Sequence, residues 1–312
     1  MTSGIEYSLV AHSHNGSAGP LPPSSAGRPS IGIILRRPAR LVGIEPFFME
    51  FIRGTESVLA AYGAILMLQV QPGLDEELAT YERWQEQGLV AGVILVNLRV
   101  DDPRPELLER LGIPTVVVGE PHAARGLPCV WTDDRTVMVN AVEYLVSLGH
   151  VRLARVTGPE DLLHTQERTS AFHDAAGRMG AIGTVEHGDY SEASGAAATE
   201  RLLTMDVADR PTAIIYDNDV MALAGLELLN ARVVDVPGQV SLIAWDDSFQ
   251  SQLAAMSALS HDVDAYGALV AETMMAMLRG ETPPPAQAEL PTLVERGTTG
   301  PPPARPSSIA VR

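Results

Sequence analysis

Three acidic clusters follow apolar runs in this chain: Asp133-Asp134 after CVWT, Asp217-Asn218-Asp219 after AIIY, and Asp246-Asp247 after SLIAW. Asp or Asn at such a junction caps the next helix, because its oxygen accepts from a free backbone N–H and its charge suits the positive end of the helix dipole. Capping accounts for one residue per cluster. The surplus carboxylates suit hydrogen bonds from the vicinal hydroxyls of a polyol. Arg168, in HTQERTSAF, stands near a predicted helix start where a cation opposes the dipole, so a partner other than the helix is expected. Tyr190, in GDYSEASG, lies between a predicted strand and a predicted helix and offers its ring either to a sugar face or to a lobe edge. Phe47-Phe48, after Pro46, make a second aromatic surface. Core packing is the simpler role for that pair, since two adjacent rings are not expected to face one cleft together.

Other chemistries are missing. All 22 basic residues are Arg, and without Lys there is no P-loop, kinase-type or Schiff-base lysine. The single cysteine, Cys129 in LPCVW, allows neither an intrachain disulfide nor a cysteine-rich zinc site and reads as a small buried hydrophobe. No GxGxxG, GxSxG, HExxH or EF-hand loop occurs, so an enzyme is not expected, nor any cofactor or metal. His12 and His14 form an isolated HxH near the start, read as accidental. With 39 acidic against 22 basic residues the net charge is −17, which repels phosphate backbones. Any DNA contact calls for a separate basic element.

The elements that must position these groups are legible in the pattern. The chain has 312 residues, 46% hydrophobic and 20% charged, enough for two lobes at roughly 100–200 residues per domain. No apolar run approaches the ~18 residues of a membrane span, and the first thirty residues have neither a basic nor a long apolar region of the signal-peptide kind. A cytoplasmic protein without a membrane partner is expected. Residues 1–30 and 300–312, rich in Ser, Gly and Pro, read as a flexible leader and tail. Between them, strands are predicted at 31–35, 64–70, 90–96, 114–118, 130–132, 152–157, 184–187, 212–216 and 240–245, alternating with segments of helical period. Gly63, Gly88, Gly112, Gly149, Gly180 and Gly280 end those segments as left-handed caps. The fold class is α/β: two similar lobes, each an open parallel sheet with helices on both faces, with ligand expected at the carboxyl ends of the strands between them. The lobes are expected to comprise 31–150 with 262–280, and 151–261 with 281–299.

In combination, IGIIL, PFFMEFIRGTE, GLVAGVILV, GIPTVVVGE, AVEYLVSLGH, GDYSEASG, RPTAIIYDNDVMALAGL, VPGQVSLIAWDD and LPTLVERGTT, in this order, resemble the effector-binding region of the LacI/GalR transcriptional regulators. The resemblance implies the type I periplasmic-binding-protein-like fold, a homodimer, and a sugar or related polyol effector whose binding closes the lobes. It further implies that Arg168, Asn218 and Asp246 hydrogen-bond effector hydroxyls and that Phe47 and Tyr190 are aromatic walls. Asp133 is added from its cluster. His261 stands where the family carries a glutamine, and the segment RRPARLVGIE is longer than the family pattern. Arg36 and Arg37 in that segment suit an acidic ligand if they enter the cleft, although a solvated loop is the simpler reading. The first thirty residues show no helix-turn-helix pattern, so DNA binding is expected only through such an element not present in this chain. A solute-binding protein for sugar uptake shares the fold and stands second, for want of a signal peptide before Ile31.

Overall fold

The computed structural model describes residues 28–36 and 45–304. His12, His14 and Arg37 lie outside them, as do most of the expected leader and tail. From the amino end, Ser30–Arg36 (β1), Pro46–Ala61 (α1), Ile65–Gln71 (β2), Leu74–Gln87 (α2), Gly92–Leu95 (β3), Arg104–Leu111 (α3), Thr115–Val118 (β4) and Cys129–Trp131 (β5) alternate strand and helix. Asp134–Ser147 (α4) follows, then Arg152–Thr157 (β6), Leu163–Arg178 (α5), Ile182–His187 (β7), Glu192–Thr204 (α6), Ala213–Tyr216 (β8) and Asp219–Ala231 (α7). Ser241–Trp245 (β9), Phe249–Leu253 (α8), Ser257–Ser260 (β10), Val263–Leu278 (α9), Ala286–Gln287 (β11) and Thr292–Val294 (β12) complete the described elements. The six predicted cap glycines all have positive φ, from 60° to 102°.

The strands form two six-stranded sheets, ordered β11-β5-β4-β3-β1-β2 and β12-β10-β9-β8-β6-β7. All pairs are parallel except β10 with β12. Side chains alternate across a strand, so β1 sends Ile31, Ile33 and Leu35 to the α1/α9 face and Ile34 to the face covered by Tyr81, Trp84 and Leu107. Helices therefore cover both faces, as a parallel sheet requires. Where α1 meets α9, a Cβ on Gly54 would overlap the backbone of Asp264, so only glycine permits this approach.

The lobes exchange elements at other points than the sequence suggests. Helix α4, expected with the first lobe, buries Val137, Met138, Ala141, Val142 and Leu145 in one cluster with Leu153, Phe172 and Ile215 of the second. The first crossing thus falls between β5 and α4 rather than near Gly149. Residues 281–299 are split as well, since β11 pairs with β5 in the first sheet while β12 joins the second. The strands β10, β11 and β12 and the short helix α8 were not among the predicted elements.

Candidate functional site

At the carboxyl ends of both sheets a cavity of about 1140 Å³, its open mouth included, lies between the lobes. Phe47, Arg168, Tyr190, Asn218, Asp246 and His261 all line it. Asp133 does not: its carboxylate caps α4, accepting from the backbone N–H of Thr136 at 2.9 Å and from the Thr136 hydroxyl at 2.6 Å. The neighbouring Asp134 lines the cavity instead. Arg36, at the end of β1, is not among the lining residues.

Arg168 projects from the second turn of α5. Its Nε donates to Asp134 Oδ2 at 2.7 Å, and its guanidinium lies 3.6 Å over the Trp245 ring. Burial opposes its charge, but Asp134 and Asp217 outweigh burial and hold its pKa above the usual arginine range. Beneath it, Arg155 of β6 is fully buried against Asp217, with contacts of 3.0 and 2.6 Å, while Gly158 N–H also donates to Asp217 at 2.9 Å. Asp217 is thereby committed to the protein. Asn218 is nearly so: its Oδ1 accepts from Met221 N–H at 2.9 Å as the cap of α7, and its Nδ2 donates to Tyr190 C=O at 3.1 Å.

Tyr190 and Asp246, both at strand ends, hold left-handed backbones with φ of 70° and 72°. Non-glycine residues adopt that region at a cost, and such outliers concentrate at binding sites. The Tyr190 hydroxyl lies 2.7 Å from His164 Nε2, and the two rings stack. Burial and then the Arg168 charge push His164 down to about 3, which keeps its imidazole neutral. On the opposite wall Phe47 stacks on His261 with centroids 6.2 Å apart, and Phe48 also lines the cavity beside it, contrary to the expectation for adjacent rings.

Two lining groups, both more than nine-tenths buried, keep a polar atom without a hydrogen-bond partner among the described residues: Asp219 Oδ2 and His261 Nε2. His261 Nε2 is 3.8 Å from Asp246 Oδ1. Burial, and then Asp246, raise the Asp219 carboxyl to about 6. Across the cavity, burial followed by Glu167, Asp134 and Asp133 raises Glu120 to about 7. His164, Trp245, Glu120 and Glu167 were not singled out as site residues from the sequence, whereas Asp219 belonged to one of its acidic clusters. Trp245 was the most accessible of them, standing one residue before Asp246 at a strand end.

At the mouth, the segment after β3 meets the segment before α5. Leu163 N–H donates to Leu98 C=O at 2.9 Å and Val100 N–H to Asp161 C=O at 3.2 Å, around an antiparallel bridge of Arg99 with Leu162. Arg99 also pairs with Asp161. The first-lobe side is prefolded by buried Arg104, which holds Asp102, Glu77 and the Asn97 carbonyl.

Two parallel-sheet lobes with polar and aromatic side chains gathered between their strand ends define a periplasmic-binding-protein-like ligand-binding fold. The family model described as a periplasmic binding protein-like domain matches residues 142–299. The transcriptional regulator CelR of Thermobifida fusca is 30% identical over 257 residues, 80% of this chain and 74% of that protein. The regulator AglR of Rhizobium meliloti is 28% identical over 289 residues, 88% of this chain and 79% of its own. A LacI family regulator from Bifidobacterium animalis subsp. lactis superposes with a TM-score of 0.80 at 34% identity, covering 88% of this chain and 98% of that one. A CelR–cellobiose complex gives 0.77 at 26% identity, covering 88% and 86%. The chain belongs to the LacI family of transcriptional regulators and carries their ligand-binding domain. Its relatives are regulators rather than enzymes. Among the described residues no helix is long and apolar enough to cross a membrane.

Proposed function

We propose that the cleft binds a sugar or related polyol and that its lobes close on this effector to alter DNA binding. The observation that carries the reading is His261 Nε2, a buried polar atom without a hydrogen bond among the described residues, beside the buried Asp219 carboxyl in a cavity with aromatic faces. Hydroxyls supply donors and acceptors for such atoms, and the apolar face of a sugar ring suits Phe47 and Tyr190. The cellobiose complex of CelR supports the same class of ligand. Arg168, Asp246 and His261 are the principal hydrogen-bonding groups, with Asn218 offering its one remaining amide N–H.

Closure is a population shift driven by the ligand's greater affinity for the closed form. DNA contact belongs to a helix-turn-helix outside the described residues, and a cytoplasmic homodimer suits a palindromic operator. Thermal-shift measurements with cellobiose, other sugars and nucleosides test the reading. A binder with micromolar to millimolar affinity, about 4–8 kcal/mol, is expected. A panel in which no member stabilises the protein at saturation refutes it.

A further inference from the structure

We propose that closing the cleft takes up a proton at Glu120, so that the lobes close more readily as pH falls. The inference rests on reading the cleft as one that opens and closes on a ligand. Glu120 follows β4 in the first lobe, whereas Glu167 lies on α5 of the second, and both line the one cavity. Among the described residues the Glu120 carboxylate has neither a hydrogen bond nor an ion pair, and the charges facing it are mainly of its own sign.

From α5 it meets Glu167, and from the start of α4 it meets Asp134 and Asp133. Asp134 is paired with Arg168 and Asp133 with Thr136, so neither arrangement supplies Glu120 with a cation. His122, three-fifths exposed on Glu120's own loop, places Nε2 3.1 Å from Glu167 Oε1; Arg135 and Arg168 also act on Glu167. Cys129 of β5 and Tyr266 of α9 feel the Glu120 charge as well, and burial keeps both in their neutral forms.

The Leu98–Leu163 and Val100–Asp161 hydrogen bonds hold the two lobes together in this arrangement. Separating the lobes parts Glu120 from Glu167 and returns both to water, where a glutamate titrates near its ordinary value of about 4.3. In this arrangement, with the lobes joined at the mouth, burial and the facing carboxylates raise Glu120 to about 7, and burial raises Glu167. Between those values the closed form binds a proton that the open form lacks. Closure is therefore favoured as pH falls through 7 and lost as pH rises through it, by several-fold per pH unit and at most about tenfold.

Small-angle X-ray scattering of the ligand-free protein at pH 8, 7 and 6 and constant ionic strength tests this. The radius of gyration should fall with pH in the wild type. Glu120→Gln should be compact at every pH, and Glu167→Gln should flatten the slope. A wild-type radius independent of pH overturns the proposal, as does a Glu120→Gln protein that keeps the wild-type slope. A slope abolished by His122→Gln but not by Glu120→Gln assigns the proton to the histidine and also overturns it. Carboxyl NMR of glutamate-labelled wild type reads the same proton without substitution: a Glu signal titrating near 7 supports it, and none above pH 5.5 refutes it. Because no sugar is used, a failed sugar panel leaves these results intact, and the reverse also holds.

Discussion

Arg168 sits over the ring of Trp245, its guanidinium carbon 3.6 Å from the ring centroid, while its Nε is tied to Asp134. The ring contact and the ion pair together fix the position of the guanidinium. Nη1 and Nη2 have no hydrogen-bond partner among the described residues, so a cation is held ready in a cavity otherwise rich in carboxylates. Its placement near a helix start, unfavourable to the dipole, is offset by these two neighbours.

Arg168→Ala should weaken effector binding by about 1.5–3 kcal/mol, the scale of a charge-assisted hydrogen bond. From sequence alone no stability cost is expected, but the pairing with buried Asp134 changes that. The substitution leaves Asp134 without its cation and should also destabilise the unliganded protein by about 1–3 kcal/mol. Calorimetric titration and urea denaturation measure the two losses separately.

Arg155→Met should be more damaging to the fold. It removes the fully buried partner of Asp217 and strands a charge in the core of the second lobe, at a cost of about 3–5 kcal/mol. The double variant Arg155→Met/Asp217→Leu should recover much of that loss. Urea denaturation of the single and double variants checks both statements.

The α/β architecture and strands β1 to β9 were legible because buried parallel strands leave short β-branched runs, and because glycine marks helix ends by its tolerance of positive φ, whereas the short β10, β11 and β12 were not. Nor was the allegiance of α4. Its apolar stripe shows that one face is buried, while the lobe that buries it is decided by partners such as Phe172 and Ile215, far along the chain. For the same reason the clusters at strand ends pointed to the cavity without separating Asp133, which caps, from Asp134, which faces inward. Glu120, Glu167 and His164 gain their character from burial and from one another, and no local spacing encodes that.

Asp133→Ala should therefore cost about 1 kcal/mol of stability through the lost cap and leave effector affinity unchanged. Asp134→Asn should do the opposite in proportion, lowering affinity because it loosens Arg168. Titration calorimetry beside thermal denaturation distinguishes them.

His164 gives the acid side of the stability profile a definite sign. The unfolded chain protonates it near the ordinary value of about 6.5, whereas the folded protein keeps it neutral down to about 3. The unfolded state thus binds the proton first, and stability falls as pH drops below about 6.5, by no more than about 1.4 kcal/mol per unit from this residue. Glu120 acts in the opposite direction, so the comparison must be with His164→Gln. Urea denaturation at pH 7, 6 and 5 should show a shallower acid loss in the variant.

Gly158→Ala should disturb the cavity wall directly. A Cβ there overlaps the Tyr190 ring, which must shift and give up its bond to His164. A loss of about 1–3 kcal/mol in stability is expected, with weaker effector binding. Thermal-shift assays with and without effector measure both.

The backbone contacts at the mouth carry a further consequence. Val100 and Leu163 each send an amide proton to a carbonyl on the opposite lobe. Deuterium from solvent replaces those protons when these bonds break, as they must when the lobes part. Their isotope uptake is thus a gauge of how often the cleft stands open, readable on the unlabelled protein, and slowed by any compound that keeps the cleft shut.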